Sequence, residues 1–227
     1  MRVTKKPDER RNEILDVTEN LFITKGYAAT TIQDIIMEIG IAKGTFYYYF
    51  SSKESVMDAV VMRFIERTIA DATLIVEDDQ LTAPEKLFHI IINQVPQTPE
   101  KDHMIEELHQ VDNAEIHQKS LVESIIQLTP VFTRVIEQGI EEGYFQTPYP
   151  KETVEFLLVA SQFLFDEGIF SWGQEELQKK ALAFTYMMEN MLQAEKGSFT
   201  YIFNQLSNLK DDNKGREKND ESKGTCR

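Results

Sequence analysis

Cysteine is almost missing from this chain. The single thiol, Cys226, stands one residue from the end of 227. No disulfide can form within the chain, so packing must hold it together, and a reducing, cytoplasmic setting is expected. Long apolar runs are missing too. Nothing approaches the ~20 residues that a helix needs to cross a bilayer. Met1-Arg2-Val3-Thr4-Lys5-Lys6-Pro7 lacks the apolar stretch of a secretion signal, so no membrane partner is expected. There is no alternating β pattern, no internal repeat, no phosphate-cradling glycine loop, no paired-cysteine motif and no Ser/His/Asp constellation. The expectations are an all-α chain, no enzyme and no cofactor. His103, His109 and His117 are spaced by six and eight, not the four that sets two imidazoles on one helix face, so no metal site is expected.

Positive charge is also in deficit. The net charge is −14, which at first argues against a polyanionic partner. The distribution reverses that argument. Residues 1–63 hold nine Lys/Arg and nine Asp/Glu, and residues 64–227 hold fifteen and twenty-nine. All the excess acid lies outside the first segment, and residues 42–53 carry Lys43 and Lys53 with no acid. An acidic body is compatible with DNA when the contact face is locally neutral or positive.

What is present centres on residues 30–50. Thr31 with Asp34, or Thr30 with Gln33, starts a helix as a capping box. Ile32, Ile35, Ile36 and Ile39 share one helical face, and Gly40 fits the left-handed residue that ends a helix. A second short helix sets Ala42, Phe46 and Phe50 on its buried side at a spacing of four. Its other side shows Lys43, Gly44, Thr45, Tyr47 and Tyr48, with Tyr49 nearer the boundary. Three successive tyrosines spread over about 200° of a helix, so they cannot all be buried. An exposed aromatic cluster on a short basic helix marks a recognition surface. Gly44 weakens a helix by about 1 kcal/mol against alanine, which is best explained by a partner approaching its backbone. The pattern is a helix-turn-helix.

Ala-Lys-Gly-Thr-Phe-Tyr-Tyr-Tyr-Phe-Ser-Ser-Lys-Glu at 42–54, after Thr-Thr-Ile-Gln-Asp-Ile at 30–35, resembles the N-terminal domain of tetracycline-repressor (TetR) family regulators. The likeness runs from about Glu13 to about Val60. It implies that Tyr47 and Gly44 approach bases or sugars in the major groove. It also implies that Tyr48, Tyr49, Thr31 and Lys53 hold phosphates, with Thr45 and Lys43 as direct base readers.

Other helices are expected at 7–25, from Ser51 or Ser52 to about 77, at 84–95, 100–111, 114–142, 151–171 and 174–195, and over Phe199–Leu209. Ile14, Val17, Leu21 and Phe22 form the inward stripe of the first, and Val56, Ala59, Val60, Phe64 and Ile69 that of the fourth. Pro130 is expected to kink its helix or to start a new segment. The expected division is a DNA-binding domain over 1–50, an effector-binding and dimerisation domain over 51–209, and a disordered tail over 210–227. Apolar walls with a few polar groups suit a small-molecule pocket. Candidates are Phe88, His89, Ile92, Asn93, Met104, Leu108, Ile125, Phe132, Phe163 and Trp172, with Gln162 among the polar groups. In the resembled family the last two main helices pair across a two-fold axis, which implies an interface at Leu157, Leu158, Phe165, Leu177, Phe184 and Met188. A homodimer also follows from the task, because one recognition helix reads only a few base pairs. The function expected is a ligand-responsive regulator, a repressor on a palindromic operator in double-stranded DNA, released by an unknown small-molecule effector. The alternative is a carrier protein with a vestigial helix-turn-helix.

Overall fold

A computed structural model describes residues 6–94, 105, 109 and 113–201. Among these the chain forms eight helices and no strand. They are α1 (Pro7–Lys25), α2 (Ile32–Ile39), α3 (Lys43–Tyr49), α4 (Lys53–Val76), α5 (Ala83–Gln94), α6 (Ala114–Glu141), α7 (Pro150–Leu164) and α8 (Gln174–Leu192). The expected helix at 100–111 falls almost wholly outside the described residues, as do most of the one at Phe199–Leu209 and the tail at 210–227.

The chain divides into two compact units. One is Met1–Ala70 with Pro96–Ser124, and the other is Asp71–Val95 with Ile125–Arg227. Helices α4 and α6 contribute residues to both.

The first unit is built by local signals that agree with one another. Pro7 opens α1, where a missing N–H costs nothing, and Gly26 closes it at φ +85° with its N–H on the Phe22 carbonyl at 3.0 Å. Ile14, Leu15, Thr18 and Phe22 are the buried residues of α1. Val17 is only half-buried, because the buried stripe passes through Thr18, one position later than the apolar spacing suggests. Thr31 and Asp34 form the capping box of α2, and Gly40 ends α2 in the left-handed conformation at φ +73°. Thr30 instead turns its hydroxyl back to the Gly26 carbonyl at 2.7 Å. In α3, Phe46 and Phe50 are buried but Ala42 is exposed. Ala42 is the extended residue before the helix, so it lies off the buried face. Ser52 and Ser55 cap α4 by exchanging hydrogen bonds with each other's backbone N–H at 3.0 and 3.2 Å. Met57, Val61 and Ile65 join Val56 and Val60 in the core, while Phe64 and Ile69 are half-buried. Ile116, in the first turn of α6, packs against this core.

The second unit buries Leu87 and Ile90 of α5, Leu128, Phe132, Val135 and Ile136 of α6, Val154 and Leu158 of α7, and Met188 and Leu192 of α8. Lys86, itself buried, donates to the Val76 carbonyl and to Gln138 Oε1, both at 2.7 Å. A cation at the carbonyl end of α4 also complements the helix dipole. Gly139 is required: a Cβ there would sit 2.1 Å from the ring of the buried Phe145. Pro130 starts no new segment but lies inside the continuous α6. The neighbouring hydroxyls of Thr129 and Thr133 donate to the carbonyls four residues back, each at 2.7 Å. Helix α7 stops at Leu164 and not near 171. Asp166 draws the chain into a turn by accepting from the N–H groups of Gly168 and Ile169 at 2.9 and 3.0 Å. Trp172 then donates to the Leu164 carbonyl at 2.8 Å, satisfying the end of the helix.

Candidate nucleic-acid interface

The outward side of α3 is set by its inward side. Phe46 is fully buried and its ring lies 6.0 Å from that of Phe50. A helix of seven residues has little else to anchor it, so these two rings fix its rotation. Tyr47 and Tyr48 are thereby turned to solvent, 44% and 78% exposed. Tyr49 is half-buried, edge-on to Tyr48 at 5.0 Å between centroids. Lys43 Nζ stands 5.8 Å from the Tyr47 ring centroid, one turn away. Thr45 is half-buried, and Lys43 and Gly44 are exposed.

Gly44 has no structural reason to be glycine. Its backbone is not left-handed, and a Cβ there would meet nothing within 4 Å. The fold therefore gains nothing in return for a helix cost of about 1 kcal/mol. What glycine does leave is bare backbone on the solvent side of the helix.

Thr31 accepts from the Asp34 N–H at 3.1 Å, and Asp34 accepts from the Thr31 N–H and hydroxyl, both at 2.8 Å. Lys25 reaches the same carboxylate at 2.6 Å. The Lys25 hydrogen bond, then those from Thr31, lower the Asp34 pKa from 3.8 to about 2. Lys53 lies at the first position of α4 with Nζ 4.1 Å from the Tyr27 ring centroid and 3.3 Å from the Ala28 carbonyl. It thus fastens the start of α4 to the turn between α1 and α2.

A groove of about 570 Å³ opens beside α3. Its walls are Arg11 and Asn12 of α1, Tyr47 to Ser51, and Ser55, Asp58, Ala59, Met62, Arg63 and Glu66 of α4. Two of its charged groups are engaged. Arg63 pairs with Asp16, at 2.6 Å, and with Glu19, and Lys119 pairs with Asp58 at 2.7 Å. Arg11, absent from the sequence expectations, lies over the Phe50 ring at 5.5 Å. Composition gives no signal for it, since Arg10 beside it has the same charge and pairs with Glu13.

The expected pocket residues are less uniform. Phe132 is buried, Phe88, Ile92, Ile125, Phe163 and Trp172 are half-buried, and His89 and Asn93 are exposed. Met104 and Leu108 lie outside the described residues. Phe88 packs its ring on Tyr201 at 5.3 Å, and Trp172 stacks on Phe170 at 4.8 Å. Among the expected interface residues, Leu158 and Met188 are buried within the chain, and Leu157, Phe165, Leu177 and Phe184 are half-buried. The rings of Phe165 and Phe184 meet edge-on at 5.8 Å, joining α7 to α8. The apolar residues left exposed on these helices are others: Phe156 and Val159 of α7, and Leu182, Tyr186 and Met187 of α8.

Two short helices about a left-handed glycine, the second showing lysine, a bare backbone and tyrosines, define a helix-turn-helix protein of the DNA-binding class. Residues 14–60 match the family described as bacterial regulatory proteins, tetR family, and residues 98–187 match the tetracyclin repressor-like C-terminal domain. The chain belongs to the TetR family; it is a DNA-binding transcriptional regulator and not an enzyme. It is 29% identical over 155 residues to the HTH-type transcriptional repressor KstR2 of Mycobacterium tuberculosis, covering 64% of this chain and 74% of that one. It is 25% identical over 195 residues to the uncharacterized regulator YfiR of Bacillus subtilis, covering 80% and 91%. Solved structures share the fold. A TetR-family regulator from Pectobacterium atrosepticum matches with TM-score 0.63 at 18% identity, covering 82% of this chain and 95% of that one. The SmeT–triclosan complex matches with TM-score 0.57 at 19% identity, covering 84% and 94%.

Proposed function

We propose that the chain is a cytoplasmic homodimeric repressor that reads a palindromic operator through α3 and is released by a small-molecule effector. The observation that carries this reading is the outward face of α3, where Tyr47, Tyr48, Lys43 and the unneeded Gly44 stand on a helix whose rotation two buried rings fix. Tyr47, Gly44, Thr45 and Lys43 contact base edges and sugars. Thr31, Tyr48, Tyr49 and Lys53 hold phosphates. The functional boundary falls near residue 50, ahead of α4. Repression has the support of the named KstR2 repressors.

Dimerisation proceeds through α7 and α8. A side chain in water gains about 25 cal/mol for each Å² of apolar surface it buries, and Phe156, Val159, Leu182, Tyr186 and Met187 expose such surface on this pair. The effector lodges in the second unit near Phe88, Ile92, Ile125, Phe132 and Phe163. Gln162 of α7 supports this, because its Oε1 is buried with no hydrogen-bond partner among the described residues. A ligand N–H or O–H would satisfy that acceptor. The SmeT–triclosan complex is a precedent in the same fold for a bound small molecule. Binding there lowers operator affinity through a coupling free energy between the two sites.

The experiment is light scattering of the free chain and of its complex with a duplex from its own upstream region. Two chains alone and two chains per duplex are expected, with Leu182→Lys reduced to one chain in solution. A monomer that binds no fragment in a salt-sensitive way would favour a carrier with an idle helix-turn-helix.

A further inference from the structure

We propose that Arg11 of α1 seats a backbone phosphate of the operator at the C-terminal end of α3, a contact made from outside the helix-turn-helix. The inference rests on the DNA-binding reading above and adds a residue to it.

Four arginines lie between Pro7 and Ala70. Arg10 pairs with Glu13, Arg63 with Asp16 and Glu19, and Arg67 with Glu19. Arg11 alone among them has no acidic partner among the described residues. It is exposed, and its guanidinium is held over the Phe50 ring at 5.5 Å. Phe50 follows the last residue of α3, so the cation stands by the recognition helix at the end opposite Lys43. Lys43, at the first turn, likewise rests on a ring of that helix, Tyr47. A cation thus stands at each end of α3, each beside an aromatic ring and neither paired with an acid among the described residues. A planar guanidinium beside a ring, with no carboxylate partner among the described residues, keeps its N–H groups for oxygen acceptors, and phosphate fits that fork.

The groove that Arg11 lines is polarised. Its paired charges, Arg63 and Asp58, cancel against neighbours. The remaining acid, Glu66, lies eleven residues beyond Ser55, the first groove residue of α4, about 16 Å along the axis. Asn12, Ser51 and Ser55 line the rest of the wall near Arg11. The end next to α3 is therefore cationic and rich in hydrogen-bonding side chains, and the far end is acidic. That suits one strand of a duplex backbone crossing the near end only.

The test is fluorescence anisotropy of the full chain on its own upstream duplex and on a scrambled duplex, across a series of NaCl concentrations. Arg11→Met keeps an aliphatic stem on Phe50 and removes the charge. It is expected to flatten the salt slope by about 0.9 per chain bound and to weaken both duplexes about fivefold at 0.15 M salt. Arg11→Lys should retain most of the slope. Glu66→Gln, which alters net charge in the same groove by one, should leave the slope nearly unchanged. An unaltered slope in Arg11→Met overturns the proposal, as does an equal change in Glu66→Gln or a loss confined to one sequence. Absence of salt-sensitive binding by the unaltered chain overturns the DNA-binding reading itself and is told apart by that control.

Discussion

Helices α3 and α8 both present aromatic or apolar side chains to water, and the difference between them separates two kinds of partner. On α3 the exposed residues are tyrosines with phenolic tips, flanked by Lys43 and Arg11, which pair with no acid among the described residues. On α8 the exposed residues are Leu182, Tyr186 and Met187, and the nearby cations are engaged: Lys179 with Glu175 at 2.6 Å and Lys180 with Glu176 at 3.1 Å. The first surface lacks a counter-anion, and the second lacks an apolar cover. A polyanion suits the first, and the dimer proposed above would cover the second.

The comparison breaks most severely if the support beneath α3 is removed. Phe46→Ala should cost about 3–5 kcal/mol, the usual loss for a buried phenylalanine. Thermal unfolding followed by circular dichroism should show the first unit melting separately, with DNA binding gone while α7 and α8 still associate. Gly139→Ala tests the other side. Its Cβ must displace Phe145, an overpacking of about 1–3 kcal/mol. Urea titration should show that loss without a change in salt-dependent DNA binding by the folded fraction.

Thr31→Ala is smaller. It removes the N-cap of α2 and should cost about 1 kcal/mol. The same cap carries a pH dependence. Asp34 has a folded pKa near 2, below its ordinary 3.8, so the stabilisation is complete above that ordinary value. It is lost as pH falls from about 4 towards 2. Acid titration of the melting temperature should show this sag, and Asp34→Asn should remove it.

The first unit was legible because each element carries its own punctuation: Pro7 and Gly26, Thr31 with Asp34, Gly40, Ser52 with Ser55. The outward set on α3 followed from two rings at a spacing of four. Arg11 was not legible, since only the placement of Phe50 distinguishes it from Arg10. In the second unit, α7 reads Val154, Phe156, Leu157, Leu158 and Val159 almost without interruption. With apolar residues on every side, periodicity cannot tell which ones the chain covers by itself. Leu158 and Met188 are buried within the chain, while Phe156 and Tyr186 are exposed. The end of α7 is hidden in the sequence for a similar reason. Phe165, Ile169 and Phe170 continue an apolar spacing that the Asp166 turn interrupts.

The most direct test is DNA binding by the double variant Tyr47→Ala, Tyr48→Ala. Both side chains are exposed, so stability should change by no more than about 0.5 kcal/mol for each. Anisotropy titration on the upstream duplex should show a folded dimer that has lost sequence-selective binding and keeps only weak, salt-sensitive association. A folded variant that binds that duplex as tightly and selectively as the unaltered chain would contradict the assignment of α3 as the reading helix.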